Sequence, residues 1–423
     1  MKSKWAAPVG GCADGGVAED GCADGVSCSA ISEAAIRHQR SRQRRSLEPD
    51  SVYFPGLNGL RFFAAMIVAV SHIELLKQYH GLPNAYDTPA VYELGRLAVT
   101  LFFVLSGYLI TFLLLKEKDV TGTIAVGAFY MRRILRIWPL YFLLVALAFF
   151  VFPRIGVMQI SPLSNTSSTL PMFLLFLPQL ALSMFAPVPF AEPAWSIGVE
   201  EQFYFLWPLL LRRFRNFVAV AIVVIALIFA ARYGALAMAT ANRNDAAALA
   251  KWNVVINFFY FTRIECMAIG GLFAWAVFRK KRALLRFLYH PLVQLSTYAL
   301  IAYILFTNAH KPIFSYGWSA MLFGILIVNV STNPRSLLKF SWKPFDFLGN
   351  ISFSIYMFHE VAIQLTLAVL GKQPSNVLLY AISLTLTIAL ASASYLWFER
   401  PFLRRKSRFA IVRSQPALVP SYS

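Results

Sequence analysis

Apolar runs long enough to cross hydrocarbon recur along this chain, separated by short polar stretches, and its basic residues gather in every second stretch. A helix needs about 20 apolar residues to traverse the roughly 30 Å core of a bilayer. Lipid offers no partner for a free backbone N–H or C=O, so each run is predicted to be helical. The runs extend approximately over 60–76, 97–115, 134–152, 197–211, 218–236, 254–278, 292–306, 315–330, 351–370 and 377–397. The expected fold is therefore an all-α polytopic integral membrane protein of about ten transmembrane helices. Composition agrees: 58% of residues are hydrophobic and 14% charged, against about 45–50% and about 25% in soluble domains.

The net charge of +19 would point to nucleic acid in a soluble protein. Here it follows topology, so no nucleic-acid partner is expected. With the N-terminus in the cytoplasm, the loops that fall inside hold Arg132, Arg133 and Arg136; Arg212, Arg213 and Arg215; the 279–282 run with Arg286; Arg335, Lys339 and Lys343; and the basic tail after Arg404. That asymmetry is what the positive-inside rule requires, and it places the C-terminus in the cytoplasm as well. Residues 1–50 are rich in Gly, Ala and Ser, repeat GCADG at Gly11–Gly15 and Gly21–Gly25, and end in a basic run. They read as a disordered, basic cytoplasmic tail. Residues 51–403 form the membrane domain, and 404–423 a short basic tail. The four cysteines, Cys12, Cys22, Cys28 and Cys266, make neither a C-x-x-C pair nor a disulfide framework, and no metal site is expected. One further apolar run, Pro171 to Pro187, is short and contains Pro178. It reads as a re-entrant or surface segment in a proline-rich outer loop, a candidate lid over a site.

Ionisable residues inside spans are costly and face a partner or a wet cavity. Arg61 and His72 lie eleven positions apart (72 − 61) in the first span, close to three turns, which puts both on one helix face about 16 Å apart. His72 suits proton transfer near neutral pH, or equally a hydrogen-bonded packing role; Arg61 can anchor the helix end by snorkelling. Glu74, off that face, reads as solvated near the outer boundary. Arg133 and Arg136 share a face of the third span with Arg132 beside them, either as positive-inside anchors or as a fork for phosphate. Glu200 and Glu201, adjacent in the fourth span, require Arg, Lys or polar partners. His359 and Glu360 form a second buried ionisable pair, read as a structural His–carboxylate contact to a neighbouring helix or as part of a site. Ser106–Gly107 reads as a point of close helix approach.

The segments GLNGLRFFAAMIVAVSH, TLFFVLSGYLIT, FYMRRILRIWPLYF, PAWSIGVEEQFYFLWPLLL, ISFSIYMFHE and FERPF, in that order, resemble the membrane acyltransferase-3 family over roughly residues 54–403. The resemblance implies a membrane-bound O-acyltransferase that moves an acyl group, commonly acetyl, from acyl-CoA to a hydroxyl of a sugar-containing acceptor such as an envelope polysaccharide or lipid-linked glycan. It implies no permanently bound cofactor, and places the protein in the bacterial inner membrane. It assigns catalytic roles to His72, Arg61 and Glu200, donor binding to Arg132, Arg133 and Arg136, and supporting roles to Trp195, Ser196, Glu201 and His359. His72 would act as general base or as a covalent acyl carrier. At Asn58 the family frequently has Asp. The rival class is a transporter or flippase without group transfer, which would show paired half-repeats; none is evident.

Overall fold

The computed structural model describes residues 52–154, 166–307, 315–371 and 375–412. The expectations for residues 1–50 and for 413–423 lie outside them. Among the described residues every regular element is helical. In chain order these are α1 (Leu57–Tyr79), α2 (Pro89–Thr121), α3 (Val126–Ala146), α4 (Thr166–Leu174), α5 (Pro178–Met184), α6 (Ala194–Arg213), α7 (Phe217–Ala241), α8 (Ala246–Phe261), α9 (Ile264–Phe278), α10 (Arg282–Tyr289), α11 (Pro291–Thr307), α12 (Ser315–Thr332), α13 (Pro344–Asn350), α14 (Ser352–Leu370), α15 (Asn376–Ala393) and α16 (Arg400–Lys406).

The ten apolar runs are helical, the one at 254–278 broken at Thr262 and Arg263 between α8 and α9, but they are not equivalent. Seven helical stretches are long and apolar enough to cross a membrane, and an eighth if α10 and α11, bent by 62°, are one span. The protein is thus an integral membrane protein. By this measure the expected ten becomes seven or eight, because α6 carries Glu200, Glu201, Arg212 and Arg213 and α12 is short. The leftover run around Pro178 forms the short helices α4 and α5, as its prolines suggest. Their connection is held by protein: Tyr141 and Gln202 donate to the carbonyls of Phe173 and Phe176 at 2.8 and 3.1 Å.

Burial sorts the helices into layers. The most apolar window is 72% buried in α2 and in α14, but 17% buried in α7 and 22% in the stretch containing α15. The first pair is central; the second turns its side chains outward, where lipid is the matching solvent. The centre is set by backbone contact between α2 and α9. A Cβ on Gly107 would stand 1.9 Å from the Met267 carbonyl oxygen, and one on Gly270 2.2 Å from that of Val104. Only glycine admits that approach, so Gly107 serves the packing role read from the sequence. The crossing brings α1, α3, α6 and α14 around α2, and the ionisable side chains converge there.

Candidate active site

Arg133 and Arg136 are three residues apart on α3 and share a face. Both line two adjoining cavities of about 90 Å³ each, which also share Arg61, Ser106 and Tyr204 in their walls. The inner cavity is completed by Ser196, Glu200 and Tyr356. The outer one is completed by Asn350 and Lys406. Arg61, Ser106, Arg133, Arg136 and Glu200 are each half-buried, as residues facing an internal space should be.

Glu200 has the polar partners its position demands. Its carboxylate accepts from Ser106 Oγ at 2.7 Å and from Tyr204 OH, one turn along α6, at 2.9 Å. Glu201 turns away from the cavities and accepts from Trp138 Nε1 at 3.0 Å. Ser196 Oγ and Tyr356 OH are 2.8 Å apart and both reach the Pro193 carbonyl at 3.2 Å. One hydroxyl donates to the other, which donates to the carbonyl.

Tyr356 joins the inner cavity to a histidine pair. Its ring lies 5.7 Å from that of His359, and His359 meets His72 edge to face at 4.8 Å. His72 is half-buried and His359 buried. His72 Nδ1 lies 2.9 Å from the Val68 carbonyl oxygen and His359 Nδ1 2.6 Å from that of Tyr356. A carbonyl only accepts, so each Nδ1 carries a hydrogen, and in the neutral form of each ring the lone pair lies at Nε2. Among the described residues His359 Nε2 has no hydrogen-bond partner.

The structure separates other residues from this group. Arg132 is one step, about 100°, around α3 from Arg133. It pairs with Glu117 at 3.0 Å, donates to the Phe409 carbonyl at 2.7 Å, and lines neither cavity. Trp195 sits between Phe103 and Phe261, with Arg263 over its ring, also outside the cavities. Of the pair expected to contact a neighbouring helix, His359 meets His72 of α1, whereas Glu360 Oε1 accepts the Phe190 N–H at 2.6 Å and secures the loop before α6. Glu74, expected in solvent, is 4% exposed. Lys77 and Tyr380 donate to it at 2.8 and 2.7 Å, because α15 closes over that end of α1. Asn58, in place of the family's Asp, donates to Asp346 Oδ1 at 3.2 Å.

Tyr204, Asn350, Tyr356 and Lys406 line the walls and escaped the sequence reading. Tyr356 lay in a segment singled out only for His359 and Glu360. Lys406 lay in a basic stretch expected to be tail. Spacing along α14 carried a signal for Tyr356, three residues before His359 on the same face; for Lys406 nothing local did. Among the described residues no group of three or more His, Cys, Asp or Glu side chains converges as metal ligands would.

An acyltransferase domain family matches residues 54–396, which contain every residue of this site except Lys406. The chain belongs to this acyltransferase family. Its similarity extends to O-acetyltransferase OatA of Staphylococcus aureus strain NCTC 8325, 29% identical over 383 residues, covering 84% of this chain and 58% of that protein. A second protein, from strain COL and provisionally named O-acetyltransferase SACOL0978, is 26% identical over 397 residues, covering 88% of this chain and 60% of its own length. The acyltransferase chain thus spans about three fifths of the curated relatives it matches. No solved structure matches it.

Proposed function

We propose that this chain is a membrane O-acyltransferase that moves an acyl group from acyl-CoA to a hydroxyl of a sugar-containing acceptor, such as an envelope polysaccharide or lipid-linked glycan. Acetyl is the group named in its relatives. In this reading the chain has ten spans, both ends in the cytoplasm of a bacterium, and the basic cavities open to the cytoplasmic side of the inner membrane. The observation that carries the proposal is the line of side chains from Arg133 and Arg136 past Glu200 and Tyr356 to His359 and His72.

Arg133 and Arg136 hold donor phosphates, where guanidinium forks fit oxygen pairs. The thioester arm runs inward past Tyr356 to His72. His72 Nε2 takes the proton of the acceptor hydroxyl as that oxygen bonds to the thioester carbonyl carbon. The C–S bond breaks and the CoA thiolate leaves, receiving the proton back from the imidazolium. Arg61 orients the donor or stabilises the oxyanion that forms in between. Glu200, fixed by Ser106 and Tyr204, offsets the charge of the arginines that share its cavity. In this reading Arg132 and Trp195, which line neither cavity, support the fold around the site.

Deleting the gene and comparing envelope glycans and small metabolites by mass spectrometry tests the proposal. Loss of one acyl mass from a glycan, restored by the wild-type gene and not by His72→Ala, is expected. Unchanged acylation throughout would overturn it.

A further inference from the structure

Four cations and no carboxylate line the outer cavity: Arg61, Arg133, Arg136 and Lys406. Among the described residues none of the four is in an ion pair, while the buried Glu74, Glu93, Glu117 and Glu265 each have a basic partner. Arg133 Nε is buried without a hydrogen-bond partner. Like charges brought together away from bulk water repel strongly; Glu200, in the wall of the adjoining cavity, offsets part of this charge, and a bound anion would offset the rest.

The fourth cation comes from α16 and lies past residue 396, where the match to the family model ends. The way α16 is held shows that its placement is built in. Glu117, 1% exposed, accepts the Ala125 N–H at 2.7 Å and pairs with Arg132 at 3.0 Å. Arg132 in turn donates to the Phe409 carbonyl at 2.7 Å. This clasp ties the segment just after Lys406 to α3, the helix that carries Arg133 and Arg136. Arg132 and Arg133 are neighbours with divided tasks: one closes the strap, the other lines the cavity.

We propose that Lys406 is a ligand for the phosphates of the acyl donor, and that the Glu117–Arg132–Phe409 clasp presents it. The occupant is a polyanion, a diphosphate with a further phosphate, matched by the surplus of positive charge that the four cations leave after Glu200. This inference rests on the acyl-CoA reading above and names a binding residue that reading lacks.

The test is binding of acetyl-CoA to the full chain in detergent, with inorganic pyrophosphate as competitor, for wild type, Lys406→Met, Lys406→Arg and Arg132→Met. Wild type is expected to bind and pyrophosphate to compete. Lys406→Met should weaken binding roughly tenfold or more, as loss of a charge-assisted contact does, with flatter salt dependence. Lys406→Arg should restore most of it. Arg132→Met should weaken binding similarly by freeing the strap. A melting temperature for Lys406→Met within about 2 °C of wild type separates ligand loss from unfolding. If wild type binds and Lys406→Met binds equally well, the role of Lys406 is wrong and the donor reading stands. If wild type does not bind acetyl-CoA at all, the donor reading fails and this inference with it.

Discussion

The rings of His72 and His359 meet edge to face 4.8 Å apart, each with Nδ1 tied to a carbonyl of its own helix. Neither ring can flip without giving up that bond, so α14 fixes the orientation in which α1 presents Nε2 of His72. His359→Ala should therefore lower kcat for acetyl transfer by about tenfold or more while leaving the Kd for acetyl-CoA within twofold, the pattern of a lost positioning contact. Steady-state kinetics and a binding isotherm on the same preparation check it; a changed Kd with unchanged kcat would contradict it.

Gly107 and Gly270 set the spacing of the two central helices. A Cβ at Gly107 falls 1.9 Å from a backbone oxygen, which no side-chain rearrangement relieves. Gly107→Ala should cost about 1–3 kcal/mol or more, seen as a lower melting temperature in detergent. An unchanged melting temperature would mean that α2 and α9 stand further apart.

Arg232 and Glu265 form a buried pair at 2.7 Å, away from the cavities, and Arg232 also donates to the Phe259 and Thr262 carbonyls. Removing one partner strands the other's charge. Glu265→Ala should destabilise the protein by about 3–5 kcal/mol, read from thermal unfolding.

Glu192 lies in the loop between α5 and α6, where burial pushes its carboxyl up to about 7 from an ordinary value of 4.5. The folded state thus holds this proton to higher pH than the unfolded chain does. Its contribution to stability is fully present below about pH 4.5 and is lost as pH rises through about 7. The melting temperature should fall over that interval, and Glu192→Gln should flatten the fall. An equally steep profile in the variant would assign the effect elsewhere.

The apolar runs made the helices legible, since a bilayer admits little else, and spacing put Arg133 with Arg136 correctly on one face. Charge within a run blurs the count: α6 is helical but too polar to pass as a span by composition. Adjacency misled the site. Arg132 was grouped with its neighbour Arg133, yet one helical step sends the two to different partners. Glu74 and Lys406 were judged from their own stretches, and both are governed by helices far along the chain, α15 for the first and α3 for the second. The pairing of His72 with His359, 287 positions apart (359 − 72), could not be read from either segment alone.

The division of labour between the two ends of the site is tested most directly by measuring acetyl-CoA binding and acetyl transfer side by side in His72→Ala and Arg133→Ala. The account predicts that His72→Ala binds acetyl-CoA as wild type does but loses transfer by about 10²-fold or more, and that Arg133→Ala loses binding first. Full transfer by His72→Ala would contradict it.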